Sequence, residues 1–189
     1  MSLSTRTRYV SGFVSLAGKT VEEAHGYMDL FKAWATANCE SFAYILHDLD
    51  TKVSDDGGVV AKTLHFHFVC VLQSACRVST FINRVADTLS LRTLAITADK
   101  CSSLESSVQY LTHKNDPEKY QYPESRVVRV WDDGDFRVLM ESEPNQVSFD
   151  YFYRVCSTAD SLVDVIRSVG ISKYHAYRNT LMDIFKATH

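Results

Sequence analysis

Leu64 to Leu72 reads LHFHFVCVL, an apolar run interrupted at alternate positions by His65 and His67. A stretch this rich in Val and Phe predicts a buried strand. Side chains alternate along a strand, so Leu64, Phe66 and Phe68 share one face and the two histidines share the other. The phenylalanines then anchor the strand against helices while the histidines look into a cleft. Positions i and i+2 lie roughly 6.6–6.8 Å apart along a strand, so both imidazoles can reach one ion. Taken alone, such a pair is more often satisfied by its neighbours than by a metal.

Working outward, Ser41 to Leu46 (SFAYIL) predicts a second strand, and Asp50 to Lys62 a polar loop in which Asp56-Gly57-Gly58 is a turn signal. The two strands should pair as a long hairpin. HDLD, from His47 to Asp50, closes the first strand and therefore lies beside the start of the second. His47 and Asp50 come near His65 and His67, and three imidazoles with one carboxylate suit a divalent ion. Asp48 is the less suitable acid, because adjacent residues point apart where a strand ends.

Other elements follow from local signals. Tyr9 to Ala17 predicts a strand ending at Gly18, and Thr20 with Glu23 has capping-box spacing ahead of a helix. Ser79 to Leu89 predicts a helix, Leu91 to Ile96 a strand, and Leu104 to Lys114 a helix with Ser102 and Glu105 at capping-box spacing. Strand, helix, strand, strand, helix, strand, helix is an α+β plan, a central antiparallel sheet flanked by helices. On the last helix Tyr110, His113 and Lys114 fall at i, i+3 and i+4, on one face. Tyr110 is either a core residue or a nucleophile, and a phenol of pKa near 10 needs a nearby cation or metal for the second role. Lys114 is placed to supply that charge.

The chain has 189 residues, 46% hydrophobic and 23% charged, as in an ordinary globular protein. A net charge of −3 gives no global basic field and counts against a histone-like binder, though not against an enzyme that grips a few phosphates. Five cysteines without a CxxC pair argue against a zinc knot or disulfide framework. No apolar run has the form of a signal peptide or the length of a membrane span, so a cytoplasmic protein without membrane contact is expected. A boundary near residue 130 divides a main domain, 1–130, from a small C-terminal helical segment, 131–189. Trp131 to Asp135 is expected to be a loop, followed by three short helices within SFDYFYRVC, STADSLVDVIRSVGI and SKYHAYRNTLMDIFKATH. The turn at Gly170 has helix-turn-helix length, and Lys173, His175 and Arg178 could face DNA. Packing or oligomerisation is the simpler expectation for this segment, with Tyr151, Phe152 and Tyr153 packing.

HDLD, LHFHF and YLTHKNDPEKYQY, in this order and spacing, resemble the rolling-circle replication initiators (Rep proteins) of small bacterial plasmids. Those belong to the HUH endonuclease superfamily, named for His-hydrophobe-His, and the stretch after Tyr110 is similar to the plasmid Rep family of the pMV type. The resemblance covers roughly residues 8 to 125. It implies a ferredoxin- or RRM-like sheet, a metal held by His47, Asp50, His65 and His67, and Tyr110 as nucleophile. Related viral Reps carry a lysine three residues after the tyrosine, where this chain has Lys114 four residues after it.

The activity implied is site-specific nicking of single-stranded or extruded origin DNA, through a 5′-phosphotyrosine and a free 3′-OH that primes replication. Ligand softness alone admits zinc, nickel or cobalt; the resemblance implies Mn²⁺ or Mg²⁺. No GxxxxGK[ST] phosphate loop is present in this sequence, so unwinding would fall to a partner, such as a host helicase or other replication proteins, or to a portion of the native chain outside it. Self-association is left open. Alternatives are a relaxase or single-tyrosine transposase using the same site, a non-catalytic origin-binding replication protein, and a plain hydrolytic metalloenzyme.

Overall fold

The structure, a computed structural model, describes residues 6–54, 57–142, 156–157, 159–169 and 171–188. The chain separates into two compact units, residues 1–142 and 143–189. In the first unit the elements are β1 (Arg6–Ser15), α1 (Val21–Asn38), β2 (Cys39–His47), β3 (Thr51–Val53), β4 (Val59–Ala61), β5 (His65–Arg77) and α2 (Val78–Leu89). They continue with β6 (Ile96–Lys100), α3 (Leu104–Leu111), β7 (Val128–Val130) and α4 (Asp133–Glu141). Five strands form one antiparallel sheet in the order β6-β1-β5-β2-β7, with β3 and β4 as a separate small hairpin. The fold is α+β, as the sequence predicts.

β5, the stretch that carries LHFHFVCVL, is the central strand. Its alternation is realised: Phe66, Phe68 and Cys70 are buried against Phe31 of α1 and Phe81 of α2. His65, His67 and Val69 face the other side, where α3 and α4 pack through Val108, Leu111, Phe136 and Met140. β2 is buried on both faces, because it lies between β5 and β7 under helices from either side. That explains why SFAYIL is continuously apolar rather than alternating.

Local signals set several boundaries. Thr20 and Glu23 form the reciprocal capping box that starts α1. α3 begins at Leu104 as expected, but its N-cap is Ser103, accepting from the Ser106 amide, rather than Ser102. The strand expected at Leu91 to Ile96 is displaced. Ser90 adopts a left-handed conformation at the end of α2, Thr93–Ala95 makes a single tight turn, and pairing with β1 starts only at Ile96. Trp131 to Asp135 is not a loop throughout: Asp132 accepts from the Gly134 and Asp135 amides and starts α4. α4 packs on α3, so the first unit continues to Ser142, beyond the boundary expected near residue 130.

In the second unit α5 (Leu162–Val169) and α6 (Ile171–Thr188) carry a small core of Cys156, Ala159, Val165, Leu181 and Ile184. Tyr151, Phe152, Tyr153 and Gly170 lie outside the described residues, as do the side chains of Lys173, His175 and Arg178. Among the described residues no helix is long and apolar enough to cross a membrane.

Gly12 sits where the backbones of β1 and β6 come close. A Cβ there would stand 2.0 Å from the Thr97 carbonyl oxygen and 2.8 Å from the Ala98 Cα, both backbone atoms. Gly12→Ala should therefore push β6 off β1 and lower stability by about 1–3 kcal/mol, the usual range for overpacking. Equilibrium denaturation of the two proteins measures this, and an unchanged midpoint would refute the close approach.

Candidate metal and nucleophile site

The β2–β5 register pairs His47 with His65, and Ile45 with His67. Three imidazoles thus gather at one end of the sheet, with ring centroids 5.3 Å apart for His47 and His65, 4.6 Å for His47 and His67, and 5.0 Å for His65 and His67. Asp50, just past the end of β2, turns back beneath them and is 5% exposed. Asp48 points away, as expected, and is held by both oxygens to Arg126 at 2.9 and 3.0 Å.

For two of these rings the backbone fixes which nitrogen carries hydrogen. His47 Nε2 lies 2.8 Å from the Leu111 carbonyl and His65 Nδ1 lies 2.7 Å from the Thr63 carbonyl. A carbonyl only accepts, so both nitrogens carry N–H, and the lone pairs sit on His47 Nδ1 and His65 Nε2. Both lone pairs face the same oxygen: Asp50 Oδ2 is 3.5 Å from His47 Nδ1 and 3.7 Å from His65 Nε2. His47 Nδ1 is fully buried and makes no hydrogen bond. Acceptors aimed at an acceptor repel unless a proton or a cation lies between them. The proton is disfavoured, since burial pushes the pKa of His47 down to about 4, that of His67 down to about 2, and that of His65 below its usual value. The donor set of imidazole nitrogens and one carboxylate oxygen fits a divalent cation.

A ring nitrogen of His113 also lies within 4.8 Å of a His47 nitrogen and an Asp50 oxygen. His113 is fully buried, and its Nδ1 donates to the Tyr120 carbonyl at 2.9 Å, which leaves the lone pair on Nε2, an atom that is buried and makes no hydrogen bond. Two overlapping groups could thus hold an ion, His47 with His65 and His67, and His47 with Asp50 and His113; His47, Asp50, His65 and His67 remain the candidate set that the sequence resemblance implies, with His113 as a candidate further donor.

Tyr110 stands over the cluster on α3. Its ring lies 5.2 Å from that of His67 and 5.1 Å from that of His113, and it is 36% exposed. Two clefts, of about 280 and 340 Å³, meet at Phe13, His67 and Tyr110. One continues to Asp50 and Lys62, the other along the hydroxyls of Ser11, Ser103 and Ser106.

Lys114 is not beside Tyr110. The helix stops at Leu111, His113 takes a left-handed φ of 59°, and the i+4 face predicted from spacing is never built. Lys114 Nζ instead donates to the Met140 carbonyl at the end of α4, next to the Leu139 carbonyl that Gln109 satisfies. The cation beside Tyr110 is Lys119. Its Nζ donates to the Tyr110 hydroxyl at 2.8 Å and lies 4.7 Å from the centre of the ring. Burial works against the Lys119 charge, but hydrogen bonds to Asp116 and Tyr110 outweigh it and raise its pKa.

The loop that delivers Lys119 runs on to Tyr122, and residues 27–133, more than half of the chain, match the model of the plasmid replication protein origin binding domain. The chain belongs to that family. Among curated proteins, none matches it. The matched span of this origin-binding domain holds His47, Asp50, His65, His67, Tyr110 and Lys119 together. Lys119 and Tyr122 escaped sequence reasoning. The available signal was Asp116-Pro117, a turn that sends the following residues back over the site.

The suppressed histidine pKa values fix the sign of a pH effect. In the unfolded chain His47 and His67 bind protons below about pH 6.5, whereas in the metal-free folded state they resist protonation down to about 4 and about 2 beside Asp50, Lys62 and Lys119. Their contribution to stability is whole above about pH 6.5 and falls as pH drops toward 4. Melting temperatures of chelator-treated protein should decline from about pH 7.5 to 5, and less steeply for His67→Gln. Equal slopes would contradict the burial-driven shift.

Proposed function

We propose that this origin-binding domain is a metal-dependent, single-strand DNA nickase and strand transferase that initiates plasmid replication. The observation that carries the reading is the placement of a half-exposed tyrosine hydroxyl, held by a lysine, where two clefts meet above the histidine cluster. A strand lying along both clefts would bring one phosphate to Tyr110. A bound divalent ion, Mn²⁺ or Mg²⁺, would act there as Lewis acid and template for the scissile phosphate.

Tyr110 Oη attacks phosphorus, the P–O3′ bond breaks, and the phenolic proton is made up at the departing 3′-oxygen. The products are a 5′-phosphotyrosyl ester and a free 3′-OH. The ester retains the bond energy, so attack by a 3′-OH rejoins the strand and releases the phenol. Lys119 orients Oη through its hydrogen bond and offsets negative charge as it develops on that oxygen. Its raised pKa keeps it an ammonium throughout. Lys62, at the rim of the metal-side cleft, is placed to meet a neighbouring phosphate. The substrate must be single-stranded or extruded, since a tyrosine on a helix packed to the sheet cannot reach into a stacked duplex.

Denaturing electrophoresis after incubation with Mn²⁺ and single-stranded oligonucleotides from the cognate origin tests this reading. Wild type should give a covalent protein–DNA adduct and Tyr110→Phe none. Lys119→Met should slow adduct formation about 10²-fold, within the range for removing one charge-stabilising donor. Lys114→Met should leave the rate within a few-fold. Origin binding without any adduct would favour a non-catalytic binding protein, and an adduct that survives Tyr110→Phe would move the nucleophile elsewhere.

A further inference from the structure

The four proposed ligands do not hold themselves in place, and Tyr122 touches two of them. It is 3% exposed and its ring lies flat on that of His47, with centroids 4.4 Å apart and 7° between the planes. Its hydroxyl accepts the Leu49 amide at 2.8 Å and donates to Asp50 Oδ1 at 3.2 Å. The guanidinium of Arg126 lies over the ring at 5.2 Å and pairs with Asp48, without touching the Tyr122 hydroxyl or Asp50.

The consequence lies in how the Asp50 oxygens are used. Oδ1 takes the Tyr122 O–H, with the His113 Nδ1–H 3.7 Å away. Oδ2 is left for the lone pairs of His47 and His65 to face. A carboxylate free to rotate would present either oxygen, or both, and the acceptors would not converge.

We propose that Tyr122 is the positioning residue of the metal centre. Its hydroxyl occupies Asp50 Oδ1 so that Oδ2 is the single carboxylate oxygen offered to the ion, and its ring holds the His47 imidazole in plane. This rests on the reading of His47, Asp50, His65 and His67 as a metal site. Partners that orient metal ligands in this way change affinity by about 10–100-fold when removed.

The test is Mn²⁺ binding to the full chain by calorimetry, without DNA. Wild type should bind one ion and His65→Ala should lose it. Tyr122→Phe, which deletes the hydroxyl and keeps the stacked ring, should bind at least about tenfold more weakly. Replacing Tyr122 by p-aminophenylalanine, whose N–H can still donate to Oδ1, should restore affinity to within about threefold of wild type. Arg126→Met, which leaves the Tyr122 hydroxyl in place, should stay equally close.

An affinity unchanged in Tyr122→Phe overturns the role of Tyr122 and leaves the metal site standing. So does an amino variant as weak as the Phe one, or an Arg126→Met loss as large, since packing would then be the cause. Should Tyr122→Phe fail to fold, the amino variant against wild type still decides. Wild type that binds no ion, or His65→Ala that binds as well as wild type, removes the metal reading itself.

Discussion

The pairing of His47 with His65 across β2 and β5 constrains the rest of the molecule. In a strand pair with side chains alternating, a slip of one residue would send the histidines of one strand to the opposite face. Such a slip would also lift Phe66 and Phe68 out of the cluster around Phe31, where both are at most 1% exposed. Burying side chains of that size contributes about 1.5–3 kcal/mol each, so the core pins the register far more firmly than any polar group could. The site inherits that precision. One face of β5 is a hydrophobic anchor, and the other face, rigid for that reason, presents imidazoles.

What was legible in the sequence was local. Alternation in LHFHFVCVL gave the two faces of β5, the capping box gave the start of α1, and HDLD at a strand end placed His47 and Asp50 opposite the histidine pair. What was not legible depended on where the chain stops obeying a period. Helical spacing put Lys114 beside Tyr110, but the helix ends at Leu111 and His113 turns left-handed, so Lys114 is turned to the end of α4. Lys119 reaches Tyr110 only because the loop after Asp116-Pro117 folds back. Likewise β6 begins at Ile96 because the chain first makes a turn at Thr93–Ala95, a choice made by pairing with β1 rather than by propensity.

The electrostatics of the cluster follow from its burial. A carboxylate surrounded by neutral imidazoles, two of which aim lone pairs at one of its oxygens, is an arrangement that stores repulsion. Water is nearly excluded from it, with His47 1% and Asp50 5% exposed. The folded chain sustains this because the N–H of each ring is bound elsewhere, to Leu111 for His47 and to Thr63 for His65. A cation would relieve the repulsion and a proton does so less well, which is the physical case for proposing a metal at this cluster.

The same hydrogen bonds tie the proposed ion to the proposed nucleophile. The carbonyl that holds His47 belongs to Leu111, the residue after Tyr110. The loop that leaves α3 is pinned in turn by His113 on Tyr120, by the Tyr122 amide on the Thr112 carbonyl, and by Tyr122 on Asp50. A displacement of α3 along the sheet would therefore turn the His47 ring as well as move the phenol. Tyr110 itself stays open to solvent at 36% exposure, while His47, Asp50, His113 and Tyr122 beneath it are buried. Accessibility and rigidity are divided between neighbouring residues at the end of α3, Tyr110 exposed and Leu111 buried.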